Sequence, residues 1–197
     1  MKFINVFAIA IGVSFAACNS QPKDSVEAAK EVNEERDTLS SSQRNDSMNA
    51  NVVPVDENDA EFAVEAANGS MMEVEMGKLA ASKATNQRVK DFASIMVTDH
   101  TKAAKDLGKI AVAKNITLPR SLGEDAAKHI EKLGAKNGSD FDKAYMDMML
   151  DDHKKDVKEF EDAAKDCKDT DLKNFVAQTL PVLYKHLDSA RAITGNK

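Results

Sequence analysis

Tryptophan is absent from the chain, and aromatic residues make up only 5% of it. A core must therefore be filled mainly by Ala, Leu and the nine methionines, which are flexible gap-fillers. Cysteine is nearly absent too: only Cys18 and Cys167 occur, which leaves no room for a framework of several disulfides. There is no basic tract. Lys and Arg number 27 against 33 Asp and Glu, a net charge of −6, so nucleic-acid binding lacks its electrostatic footprint. No serine or threonine sits in a glycine elbow and no phosphate-binding loop is present, which removes the usual signatures of nucleophilic hydrolases and nucleotide enzymes. Alternating β-branched residues are sparse, and the apolar period is helical throughout.

The N-terminus reads as an export signal. Lys2 is the only charge before an apolar run from Phe3 to Ala17, shorter than the about 20 residues of a spanning helix. The run ends in Phe15-Ala16-Ala17-Cys18, which resembles a bacterial lipobox, with Phe15 where leucine is usual. A signal peptide over residues 1–17 and an acylated Cys18 are expected. Asn19 rather than Asp follows the cysteine, and the resemblance to sorting signals points to the outer membrane. The expected partner is a membrane, reached through the N-terminal lipid. Residues 18–57 are poor in large apolar side chains and read as a flexible polar tether. Val26 to Leu39 has some helical character but too few apolar residues to dock firmly.

Residues 58–197 supply one domain with a real core. Helical periodicity predicts helices over 57–85, 86–114, 140–168 and 171–194, with a shorter one near 122–133. The stretch between the second and third long helices holds Pro119, Gly123, Gly134 and Gly138. Two hairpins of long helices joined by a long crossover describe an all-α, ferritin-like four-helix bundle. Pro181 falls inside the last helix and is expected to bend it. Cys167 is expected to be a buried, inert thiol.

The same residues resemble a known family. Glu73-Val74-Glu75-Met76-Gly77-Lys78-Leu79-Ala80, Phe92-Ala93 with Met96 through His100, Leu118-Pro119, Phe141-Asp142 with Tyr145, and Leu180-Pro181-Val182-Leu183 with His186-Leu187 are similar to the signature of the bacterial domain of unknown function 4142. The resemblance spans about Asp59 to Ala192. It implies a ferritin-like fold and an exported or outer-membrane protein, and implies no particular activity.

Two heptapeptides stand out: Met96-Val97-Thr98-Asp99-His100-Thr101-Lys102 and Met149-Leu150-Asp151-Asp152-His153-Lys154-Lys155. Each puts a histidine one helical turn after a methionine, on the apolar face. His186 lies nearer the edge of its own stripe. Helix one offers Glu73 beside its apolar face, so the bundle can bring together Glu73, His100, His153 and His186, one from each long helix. This set suits zinc, iron, manganese or copper, and Asp99, Asp152 and Asp156 are candidates as further ligands or as acceptors that orient the imidazoles. Methionines near the histidines would extend the choice to mixed ligation of copper. The di-iron pattern Glu-x-x-His is missing: Val97, Leu150 and Leu183 stand three before the histidines. His129 reads as a surface residue.

Three functions follow from these residues. One is an exported, membrane-tethered bundle acting in envelope interaction or stress, with no enzymatic activity indicated, whose Asp–His pairs form a hydrogen-bonded polar layer. The alternative is a mononuclear transition-metal-binding bundle. An oxidoreductase with a ferritin-like metal centre lacks the carboxylate spacing it needs. On the polar-layer reading, His100→Leu should be tolerated.

Overall fold

The computed structural model describes residues 24–43 and 55–195; the expected signal peptide and Cys18 lie outside the described residues. Regular structure among them is helical: α1 (Ser25–Gln43), α2 (Glu57–Lys83), α3 (Gln87–Lys114), α4 (Glu124–Gly134), α5 (Gly138–Asp166) and α6 (Thr170–Thr194). The long helices end within a turn of their expected positions. Helix α2 pairs with α3 and α5 with α6; α3 also meets α6 and α2 meets α5, closing a ring, while α4 rides the crossover against α2 and α5. The fold is all-α and ferritin-like. No helix among the described residues is long and apolar enough to cross a membrane.

Local chemistry sets the ends of these helices. Asp56, Asn86 and Asp169 each accept a hydrogen bond from the backbone N–H two residues on, at 3.2, 2.9 and 2.8 Å, satisfying donors that a helix start leaves open. Asn115 ends α3 in the left-handed conformation, with φ of 57°, which asparagine tolerates better than most residues. Pro181 leaves the Ala177 carbonyl without its helical donor, yet α6 runs on through it; Ala177 is exposed, so water can take that place.

The two hairpins are built on one plan. Asp59 of α2 is buried and accepts from the N–H groups of Lys168 (2.9 Å) and Asp169 (2.7 Å) in the α5–α6 turn. Asp142 of α5 is buried and accepts from those of Thr85 (2.9 Å) and Asn86 (2.8 Å) in the α2–α3 turn. Positions 59 and 142, 85 and 168, and 86 and 169 are each separated by 83 residues, so an approximate half-turn relates the hairpins. Phe92 and Phe175 obey the same spacing, and both are buried.

The tether expectation does not extend to α1. Its apolar contact is small, Val26 and Ala29 against Val64, and polar groups do the rest. The Asn33 amide donates to the Thr117 carbonyl (2.9 Å) and accepts from the Thr117 N–H (2.8 Å). Arg36 donates to the Asn115 carbonyl, Lys30 sits between Glu61 and Glu65, and Asp24 accepts from the Glu124 N–H (2.6 Å) at the start of α4. The crossover offers unpaired backbone groups that need partners, and a count of apolar residues cannot register them.

Close packing of α2 on α3 centres on Gly77, where a Cβ would lie 2.8 Å from a Val97 methyl and 3.1 Å from the Ala93 carbonyl oxygen. Gly108 in α3 has nothing within 4 Å. Gly108→Ala should therefore stabilise the protein by about 0.5–1 kcal/mol through helix propensity. Gly77→Ala should lose about 1 kcal/mol, because overpacking outweighs the same gain. Thermal melts of the two variants check the opposite signs.

Cys167 is buried in the α5–α6 turn. Burial, reinforced by the Asp59 carboxylate, pushes its thiol up to about 12 from 9.0. The folded protein thus holds this proton more tightly than the unfolded chain does. The associated stability is complete below pH 9 and is lost as the pH rises from 9 towards 12. In a Cys18→Ser variant, a thiol reagent at pH 8 should label nothing in native protein and one site in urea; rapid native labelling would contradict the burial.

Candidate metal centre

Halfway along the bundle each long helix contributes one polar side chain to the interior: Glu73 from α2, His100 from α3, His153 from α5 and His186 from α6. All four are buried, Glu73 at 2% exposure and His153 at 0%. His186 therefore lies deeper than its place at the stripe edge suggests. The three rings form a nearly equilateral triangle, with centroids 5.2, 5.3 and 5.6 Å apart. One ring nitrogen of each lies within 4.8 Å of the others.

The outer nitrogens are held by acceptors. Nδ1 of His153 donates to the Met149 carbonyl at 2.9 Å, one turn back on its own helix. Nε2 of His186 is 2.9 Å from Asp99 Oδ2, and Nδ1 of His100 is 2.7 Å from Glu73 Oε2. A carbonyl or carboxylate oxygen can only accept, so each contact fixes a proton on the outer nitrogen. The inner nitrogens are left over. Nε2 of His100 has no hydrogen-bond partner. Nε2 of His153 and Nδ1 of His186 face each other at 3.2 Å, and when both rings are neutral two lone pairs meet there.

Electrostatics keep those two rings neutral. Burial depresses His186 to about 4 against the pull of Asp99, and burial likewise lowers His153 against the pull of Glu73. His100 moves the other way: burial opposes its charge, but Glu73 overcomes the burial and raises it. Glu73 is buried, which alone would raise its carboxyl, yet the charge of His100 and its hydrogen bond hold it below the usual carboxylate range. Burial, with the charge of Glu73 added, lifts Asp152 to about 7 and Asp156 well above the usual carboxylate range.

The sequence-derived residues therefore divide. Asp99 orients His186. Asp152 touches no histidine nitrogen through a hydrogen bond; its Oδ2 is buried without a hydrogen-bond partner. Asp156 groups with Glu73 and His153, ligand atoms within 4.8 Å of one another, rather than orienting an imidazole. His129 is exposed. Met149 takes part through its carbonyl, which no sequence pattern advertises. Ser70, buried and three residues before Glu73 on the same side of α2, carries no sequence signal; it lines a cavity of about 30 Å³ with Glu73, Asp99, His100, Asp156 and His186.

Residues 43–193 match the family model described as a domain of unknown function, DUF4142. The chain belongs to that family. A crystal structure of a DUF305 fragment from Deinococcus radiodurans is similar in fold, with a TM-score of 0.64, 8% sequence identity, and coverage of 74% of this chain and 100% of the fragment. At that identity the likeness speaks for the fold alone. No curated protein matches the chain.

Because Glu73 is held by His100, the expectation that His100→Leu is tolerated needs correcting. Leucine would strand a buried carboxylate, at a cost of about 3–5 kcal/mol in metal-free buffer. Pairing it with Glu73→Met removes the charge as well and should recover most of that loss. Urea unfolding of the single and double variants tests this; a single variant as stable as wild type would contradict it.

Proposed function

We propose that this protein is a metal-handling helical bundle that binds one divalent transition ion through His100, His153 and His186. The observation that carries this reading is the set of inner nitrogens. Three imidazoles from three helices are each fixed by an acceptor on the outer side, and their inner nitrogens have no partner or face one another at 3.2 Å. Outer hydrogen bonds of this kind are what set the tautomer and orientation of metal-bound histidines. Bonds of about 2.1 Å place the nitrogens of a tetrahedral centre about 3.4 Å apart, so binding would draw in the present 4.8 Å limit by a modest side-chain adjustment. An all-imidazole set suits zinc, copper or iron better than manganese.

The small cavity bears on the role. About 30 Å³ holds an ion with a water or two, given about 10–15 Å³ for each water-sized probe, and leaves no space for an organic substrate. Glu65, Asp99, Asp156 and Glu159 line it, an acidic approach that favours cations. Holding an ion fits these features better than catalysis on a larger molecule. Together with residues 1–18, the reading is of an exported bundle anchored in the envelope by lipid on Cys18, in the outer membrane.

Binding requires neutral imidazoles. His153 and His186, both lowered by burial, are neutral near pH 7, whereas Glu73 favours the protonated form of His100, which binding must displace. Affinity should therefore rise with pH as that proton is lost. Metal analysis and calorimetry of the purified protein should give one zinc or copper per chain. His153→Ala should abolish binding, and Asp99→Ala should weaken it about 10–100-fold. A metal-free protein whose melting temperature ignores both added zinc and chelator would instead favour a purely structural polar layer.

A further inference from the structure

On the other side of Glu73 from His100 lies a second group of potential ligands. Glu73 Oε1 is buried and has no hydrogen-bond partner. His153 Nδ1 is 3.3 Å away, but its proton is given to the Met149 carbonyl. Asp156 completes the group, with a carboxylate oxygen within 4.8 Å of ligand atoms on both Glu73 and His153. Positions 73 and 156 are again 83 residues apart, so Glu73 and Asp156 occupy equivalent places in the two hairpins and flank the approximate half-turn axis together. Two charged carboxylates this close in a bundle interior would repel, so they share the space only with a proton or a cation between them.

We propose that Glu73 Oε1 and Asp156 form a second, oxygen-lined cation position beside the three histidines, suited to a hard divalent ion such as Mn(II). Carboxylate and water ligands favour such ions over the softer ones that imidazole selects. Asp156 and Glu73 both line the cavity, so water can complete the coordination and an ion can enter by the same acidic route. The position rests on the three-histidine reading, because Glu73 is fixed through His100. It extends that reading from one ion to two ions of different chemistry. The half-turn mates of His153, His100 and His186 are Ser70, Leu183 and Ala103, so the related half of the bundle carries no second cluster of imidazoles.

The test is Mn(II) titration of protein first loaded with one equivalent of zinc, reading free Mn(II) by its electron paramagnetic resonance signal. The expected result is one Mn(II) per chain. Asp156→Asn should weaken this binding at least tenfold while zinc stays bound. The asparagine is isosteric with a protonated aspartate, so the variant should melt close to the wild-type temperature. If zinc binds but no Mn(II) follows, the second position is overturned and the histidine site stands. Mn(II) binding that Asp156→Asn leaves unchanged overturns it too, as adventitious binding to surface carboxylates. If no zinc binds, both readings fall. The wild-type titration decides even if the variant does not fold.

Discussion

A carboxylate 2% exposed in the middle of a helical bundle is an expensive thing to keep ionised, by several kcal/mol after relaxation. Glu73 keeps its charge chiefly because His100 pairs with it. His100 bonds to one oxygen at 2.7 Å, and His153 Nδ1 stands 3.3 Å from the other. The dependence runs both ways, since the charge of Glu73 raises His100 and works against the burial that depresses His153. Around this one anion the remaining polar interior is arranged. Its field helps hold the protons on Asp152 and Asp156, and it disfavours ionisation of the buried Tyr145. A net positive ion among the histidines and carboxylates would relieve most of these strained balances at once.

The scaffold has the rigidity such a cluster needs. Side chains from four helices must arrive at one level, and the level is set by the lengths of the hairpins and by the aspartates that tie each hairpin to the turn of the other. Asp59 and Asp142 cross-link opposite halves through backbone N–H groups, so the sliding of one hairpin along the other would break several hydrogen bonds together. Gly77 lets α2 approach α3 closely, which brings Glu73 and His100 within reach of each other. Packing and electrostatics meet here: the same close approach that packs the small residues also makes the ion pair.

Much of this was legible in the sequence. Helical periodicity and the long crossover are sufficient for the ferritin-like fold, because long amphipathic helices have few ways to bury their stripes. His100 and His153 were visible as polar residues on apolar faces, and Glu73 as an acid beside one. Other features required coordinates. The docking of α1 depends on backbone groups of the crossover, which composition does not describe. His186 looked marginal because a helical wheel treats the stripe edge as half exposed, whereas α3 supplies Asp99 to close over it. The repeated heptapeptide singles out His100 and His153, which the fold does bring together, but its spacing of 53 residues (100 against 153) is not the one the fold uses. The structural repeat is 83, carried by Asp59 with Asp142 and Glu73 with Asp156, residues too dissimilar in context to stand out by themselves.

On the proposed reading, the inner nitrogens of His153 and His186 are both unprotonated and face each other across a gap that a cation would fill. Nitrogen-15 NMR of the histidine rings tests it most directly. The account predicts, in metal-free protein near pH 7, a neutral His153 protonated at Nδ1 and a neutral His186 protonated at Nε2, with zinc shifting the resonances of His153 Nε2, His186 Nδ1 and His100 Nε2. A single proton shared between His153 and His186, with a spectrum that zinc leaves unchanged, would contradict it.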